Sequence, residues 1–387
     1  MRLYDWVMTD ILRKCAVGLG LLLGVAACDT TVPPATAAKT WKILAQEDDL
    51  TKLGDSLKPT KVSLEGAIFS IWGSNADDMW VVGGNNSTTA ANNKPPIIMH
   101  WSGNGWSSLA DPSFIGTMWW VTGIGNSDIW MAGTGGNILH TDRKANKSYL
   151  YSPALKTVPT SEQLYGIIAF SNTDVWAVGG PSTCGATCGV IWHLDDSGLW
   201  KPSTAPSDMV SSATWFKVWG RSSKDLYVCG SAPTDNSNNK ILHFDGTTWT
   251  AQDSGVDVNL FTCDGNDKLV VCVGGASSGA IVENDGTGWK RIKVAGLEQM
   301  NGVAVPKDPA CDPIAVGLGG AVWRRTSGVW TRDSGRPDIG NDYHGAFLDD
   351  KCNAWAVGGQ ILSAPTKAAT ISHFGETHPA PPNPATK

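Results

Sequence analysis

The sequence predicts an all-β fold: a seven-bladed β-propeller of four-stranded antiparallel blades, its last blade closed by the N-terminal strand. Three observations carry this. A strand running into glycine recurs seven times, at Gly83, Gly133, Gly179, Gly230, Gly274, Gly317 and Gly358, at intervals of 41 to 51 residues, which is the period of propeller blades. The composition suits strands and turns, with 44 glycines, 19 tryptophans and only 17% charged residues in 387. The two ends of the repeat are also broken in complementary ways. The seventh unit stops after its third strand, "TISHFGE", whereas "TWKILAQED" (40–48) has no strands before it. That segment matches the fourth-strand elements "TWTAQDSG" (248–255) and "GWKRI" (288–292), so it is expected to complete the seventh blade and remove two free sheet edges.

In chain order, residues 1–27 read as a lipoprotein signal peptide. Arg13 and Lys14 precede "CAVGLGLLLGVAA" (15–27), whose helix would span roughly 20 Å, short of a bilayer core of about 30 Å. "VAAC" (25–28) resembles the bacterial lipobox, and the resemblance implies cleavage before Cys28 and lipidation of its thiol. Met8 is an alternative start to Met1. Residues 28–39, rich in Thr, Pro and Ala, read as a flexible tether. The propeller is assigned to 40–375, and the Pro-rich tail 376–387 is expected to be disordered. The expected address is the bacterial cell envelope, with the membrane reached through the lipid anchor. A formal charge of −6 gives no electrostatic case for nucleic acid.

Each unit has four parts. An innermost apolar strand ("AIFSIWG", "MWWVTGI", "FKVWG") is followed by a D-x-W-x-x-G strand ("DDMWVVGG", "NTDVWAVGG"). A third strand ("IIMHWSG", "VIWHLDD", "KILHFDG") leads to a fourth that opens with Trp106, Trp200, Trp249, Trp289 or Trp330. The second unit departs, offering "SYLYSP" (148–153), and the fifth has Val270 or Val271 in place of the aromatic. The order of elements in "DVWAVGG…VIWHLDDSGLW" and "DLYVCG…ILHFDGTTW" resembles kelch-type and related bacterial tryptophan-rich propellers, which implies the architecture. The turns "DGTTW" and "DGTGW" fall one residue short of Asp-box spacing. The seven arginines after the signal are scattered between 143 and 336, so a sialidase is not implied.

The repeated residues have structural roles in this reading. Trp80, Trp130, Trp176, Tyr227 and Trp355 share one strand position and are expected to pack between blades. Asp78, Asp128, Asp174 and Asp225 are expected to accept backbone N–H groups at the first hairpin. His100, His140, His193, His243 and His373 share a third-strand position. They form too wide a ring for a metal and are read as hydrogen bonders between blades. The channel-facing residues are Ser70, Lys217, Cys263 and His344, with no acid pair, arginine cluster or Ser/His/Asp set among them. The expectation is a non-catalytic protein without cofactor; a propeller hydrolase would need an activity that depends on a residue such as His344. An extracytoplasmic address permits disulfides. The candidate pairs are Cys311–Cys352, Cys263–Cys272 and Cys184–Cys188, leaving Cys229 single.

Long loops between second and third strands occur at 85–96, 181–189, 231–240 and 360–370, and crossovers at 151–164 and 201–214 share their face. Function concentrates on such loops. The candidate binding face comprises Asn85, Asn86, Pro181, Asp235, Asn236, Trp119, Trp120 and Trp215. Consecutive Trp119 and Trp120 are expected to point to opposite sides of their strand. "TDNSNN" (234–239) carries oxygen atoms of a kind that binds calcium, although a solvated loop is the simpler reading. The expected function is a lipid-anchored, monomeric binding or scaffold module for a protein or peptide partner; the alternative is a lectin-like, glycan-binding surface.

Overall fold

The computed structural model describes residues 38–46, 65–87, 94–108, 115–144, 147–151, 163–180, 189–233, 235, 237–377 and 379. Cys28, Pro181, Cys184, Cys188 and Asn236 lie outside them. Among the described residues, twenty-eight strands form seven separate four-stranded antiparallel sheets, each made of strands consecutive in sequence except the last. In that sheet Thr40–Gln46 pairs antiparallel with Lys367–Gly375, outside Ala354–Gln360 and Asp342–Leu348. Thr40 faces Gly375 and Gln46 faces Thr370. The last blade is therefore composite, as the broken repeat predicts. The fold is a seven-bladed β-propeller.

The core lies between the sheets. In most junctions a second-strand side chain meets a fourth-strand tryptophan of the following blade. Ring centroids are 6.4 Å apart for Trp130 and Trp200, 5.9 Å for Trp176 and Trp249, and 5.8 Å for Tyr227 and Trp289. The closing junction repeats the contact with Trp355 and Trp106 at 6.3 Å. Where the fifth blade substitutes Val271, that valine clusters with Trp330 of the sixth. Ile314 of the sixth clusters with Trp41 from the N-terminal strand. Each such ring removes about 150–250 Å² from water, a transfer term of roughly 4–6 kcal/mol.

The histidines work within their own blades, which corrects the expectation of bonds between blades. His100, His140, His193 and His243 each donate Nε2–H to the aspartate of the same sheet, Asp78, Asp128, Asp174 and Asp225, at 2.6–3.0 Å. Each ring also stacks on the second-strand aromatic of its own blade, at 3.9–4.4 Å. The register dictates this, because His100 lies opposite Trp80 and His193 opposite Trp176. The aspartates accordingly accept from imidazoles. Asp78 further takes Arg143 of the next blade at 2.8 Å and the Ser74 hydroxyl at 2.6 Å.

Two disulfides are present among the described residues. Cys263 and Cys272 are directly opposed across the first hairpin of the fifth blade. Cys311 and Cys352 join the equivalent turns of the sixth and seventh blades across 41 residues of chain. Cys229 is free and buried.

Candidate functional site

The site begins with a backbone irregularity that every blade shares. The innermost strands carry a register shift at the same place, between Ile68/Ser70, Met118/Trp120, Leu164/Gly166, Trp215/Lys217, Leu260/Thr262, Met300/Gly302 and Tyr343/Gly345. A β-bulge places one extra residue there and re-aims its side chain. The seven extra residues are Phe69, Trp119, Tyr165, Phe216, Phe261, Asn301 and His344. Six of the seven carry aromatic rings.

Those rings touch in succession around the axis. Centroid separations are 5.1 Å from His344 to Phe69, 4.6 Å to Trp119, 5.4 Å to Tyr165, 5.6 Å to Phe216 and 5.6 Å to Phe261. The arc opens at Asn301, whose side-chain amide donates to Tyr343 O at 2.8 Å. The Trp119 indole donates to Gln163 Oε1 at 3.2 Å. His344 donates Nδ1–H to the Phe69 carbonyl at 2.7 Å, which leaves Nε2 as the lone-pair nitrogen of the neutral ring. Burial, assisted by the Lys217 charge, pushes the His344 pKa down to about 4, so the ring is neutral at pH 7. Burial raises the Tyr165 hydroxyl to about 12.

One residue further along the innermost strands, three of the seven positions are glycine. Gly166, Gly302 and Gly345 occupy this level beside Ser70, Trp120, Lys217 and Thr262. A Cβ at Gly302 would lie 2.5 Å from His344 O, and one at Gly345 would lie 3.1 Å from Phe69 O. The Ser70 hydroxyl accepts the Val121 N–H at 3.2 Å, and Thr262 Oγ1 donates to Asn301 O at 2.7 Å. With no side chain on Gly166 in the third blade, Lys217 of the fourth reaches the Trp120 ring of the second. Lys217 is 2% exposed, and its Nζ has no hydrogen-bond partner. Burial holds its pKa well below the usual lysine value, against the opposing pull of Cys229 and Asp264. The Asp264 carboxylate is itself committed, accepting the Val305 N–H at 2.8 Å; burial raises it to about 6. Burial also raises the Cys229 thiol to about 12. Groups perturbed this strongly gather at functional sites more often than elsewhere. The arrangement offers an apolar, aromatic mouth above one buried, unbonded amine.

The bulges also fix the face. Ala67 pairs with Gly84, Gln163 with Gly180, Trp215 with Gly230 and Asp342 with Gly359. The long loops after those glycines therefore leave the sheets at the same end as the aromatic arc. Asn85 sits in that rim, its backbone oxygen accepting the Thr366 N–H at 2.8 Å. Asn86, at φ 39°, donates its N–H to Thr117 Oγ1 of the next blade at 3.0 Å. Asp235 Oδ1 caps the Ser237 N–H at 3.0 Å. In the 234–239 loop the Asn239 amide is spent on Gly230 O and Val258 O, at 2.9 and 3.0 Å. Among the described residues, two large apolar side chains are exposed on this rim, Ile115 at 61% and Leu362 at 72%.

Several expected site residues behave differently. Trp119 and Trp120 do not alternate, because the bulge between them breaks the period of two; Trp119 joins the arc and Trp120 lies beneath Lys217. Trp215 is fully enclosed, its indole donating to Val210 O at 2.8 Å; it anchors the crossover helix Ser207–Val210 and presents no surface. Cys263 faces its disulfide partner and not the channel. Phe69, Tyr165, Phe216 and Phe261 were missed. Their signal was an aromatic at one aligned position of five innermost strands, which simple alternation assigns to no particular face.

No family model matches the chain, and no curated protein matches it. Solved propellers do. A streptogramin B lyase structure is similar at TM-score 0.59 and 14% identity, over 87% of this chain and 98% of that one. YCF48 bound to D1 peptide gives TM-score 0.59 and 13% identity, over 87% and 97%. The RRP9 WD40 repeats give TM-score 0.56 and 11% identity, over 88% and 98%. At such identities the likeness is one of fold alone, and these neighbours include both a lyase and a peptide-bound propeller.

Proposed function

We propose that this chain is a non-catalytic binding propeller. It takes an extended peptide or protein segment on its loop-rich face, with one or more apolar side chains seated in the aromatic mouth. The arc from His344 to Phe261 carries the reading. It sets six ring-bearing positions side by side at the end of the axis where the long loops emerge, and clustered aromatics of this kind anchor partners. The YCF48 structure with its D1 peptide supports the idea that a propeller of this shape can hold a peptide. Against a hydrolase or lyase, Lys217 and Asp264 share no hydrogen bond with each other or with His344. A glycan surface is disfavoured because Trp215 is enclosed. The lipobox-like "VAAC" and the tether behind it support attachment to the envelope through Cys28, where both disulfides would persist.

Selection of random dodecapeptides on the full chain tests this. Peptides recovered on the wild type should lose at least tenfold in affinity for Trp119→Ala/Phe216→Ala, while Val329→Ala on the opposite rim leaves binding unchanged. Peptide binding indifferent to the mouth, or glycan binding that depends on it without any peptide binding, would overturn the proposal.

A further inference from the structure

We propose that Lys217 and the aromatic arc above it form a carboxylate-binding site on the propeller axis. The site takes a single carboxylate carried on an apolar or aromatic stem. This rests on the reading that the axial mouth is the binding site, and it names the chemistry of what enters.

The observation behind it is a buried amine placed where a fold has no use for one. Lys217 is 2% exposed, its Nζ donates no hydrogen bond, and it rests on the face of Trp120. Burying an ammonium without a hydrogen-bonded counter-charge opposes folding. Ring stacking on Trp120 recovers only part of that. Two groups favour the ammonium but neither bonds it: Asp264 holds the Val305 N–H, and the Cys229 thiol is neutral at pH 7. Among the described residues Trp120 and His344 also lie close, and neither supplies an anion. An apolar residue of similar length would pack the channel waist at lower cost.

Geometry then selects the ligand. The site carries one amine, which takes up a proton as an acid is seated beside it and so matches a monoanion. A phosphate dianion would bring surplus charge, since among the described residues Lys217 is the one amine close to the Trp120 ring. Arg143, Arg221, Arg324, Arg325 and Arg332 are all paired with carboxylates elsewhere in the ring of blades. Above the lysine the lining is apolar and aromatic, suited to a hydrocarbon stem. Nζ is closed off from solvent, so entry requires a ring of the arc to turn aside. Once the anion is seated in that dry environment, its pairing with Lys217 is strong.

The test is calorimetric titration of the full chain at pH 7. The small-molecule probes are 3-phenylpropionate and its uncharged amide. The peptide probes are N-acetyl-Ala-Ala-Phe with a free C-terminal carboxylate, N-acetyl-Ala-Glu-Phe-amide with a side-chain carboxylate, and N-acetyl-Ala-Gln-Phe-amide with neither. At least one acid should bind tenfold or more tighter than its neutral counterpart. Lys217→Met should erase that difference, with a Tm equal to or above the wild type. The arms separate the sources: a free acid, a chain terminus or an acidic side chain. Peptides that bind without regard to charge would sink the carboxylate site and leave the peptide reading standing. Discrimination by 3-phenylpropionate alone would keep the site and sink the peptide reading. No binding by any probe, discrimination that survives in Lys217→Met, or a lowered Tm in that variant would overturn the inference.

Discussion

Removing the Cys311–Cys352 bridge should weaken the ring measurably. The bridge joins the sixth blade to the composite seventh and encloses 41 residues, about one blade of chain. Loop-closure entropy for a loop of that length corresponds to about 4 kcal/mol at 25 °C, against about 2.6 kcal/mol for a loop the length of Cys263–Cys272. The perturbation is the double variant Cys311→Ala/Cys352→Ala, assayed by thermal unfolding with and without dithiothreitol. At about 2 °C per kcal/mol for a domain of this size, the oxidised variant should melt about 8 °C below the oxidised wild type. Reduction should then cost the variant about 4 kcal/mol less than it costs the wild type, since the longer bridge is already absent. This comparison cancels the effect of replacing the sulfur atoms. Equal losses on reduction in the two proteins would show that the bridge constrains nothing in the unfolded chain, and the entropic argument would fail.

Further expectations concern the axis and the blade units. His344 has a folded pKa of about 4, below its unfolded value, so the unfolded chain takes up the proton first. Stability present above pH 6.5 should therefore fall as pH drops toward 4, by up to about 3 kcal/mol; His344→Gln should flatten that stretch of the urea-unfolding profile, and an unchanged profile would contradict it. Gly302→Val would drive a side chain into the His344 carbonyl, 2.5 Å from the ideal Cβ, and should cost about 3 kcal/mol by the same assay. Asp78→Ala leaves His100, Arg143 and Ser74 without their shared acceptor and should cost about 3 kcal/mol; a loss under about 1 kcal/mol would mean that water replaces the carboxylate.

Much of this molecule is written in spacing. The recurring Gly83 to Gly358 steps and the orphan "TWKILAQED" gave blade number and closure, because a four-stranded sheet needs a fixed length of chain and a ring must pair its last edge. The pairing of Cys311 with Cys352 followed from equivalence of position between neighbouring repeats. The partners of the third-strand histidines were harder to see. His193 could have served its own blade or the next, and only the register, with His193 opposite Trp176 and within 2.8 Å of Asp174, decides for its own.

The axial site was legible only as fragments. Lys217 and His344 stood out as polar residues on innermost strands, but the side chains around them did not assemble in the linear text. A strand read with period two sends Trp119 and Trp120 to opposite faces; the bulge that brings both toward the axis is a backbone feature repeated in all seven blades. Sequence by itself determined the architecture, since periodic burial and the count of strands are local properties of the chain. Tertiary structure decided the site, since its arc joins residues from Phe69 to His344 that become neighbours only when the ring closes, and since the isolation of Lys217 depends on what the other blades fail to offer it.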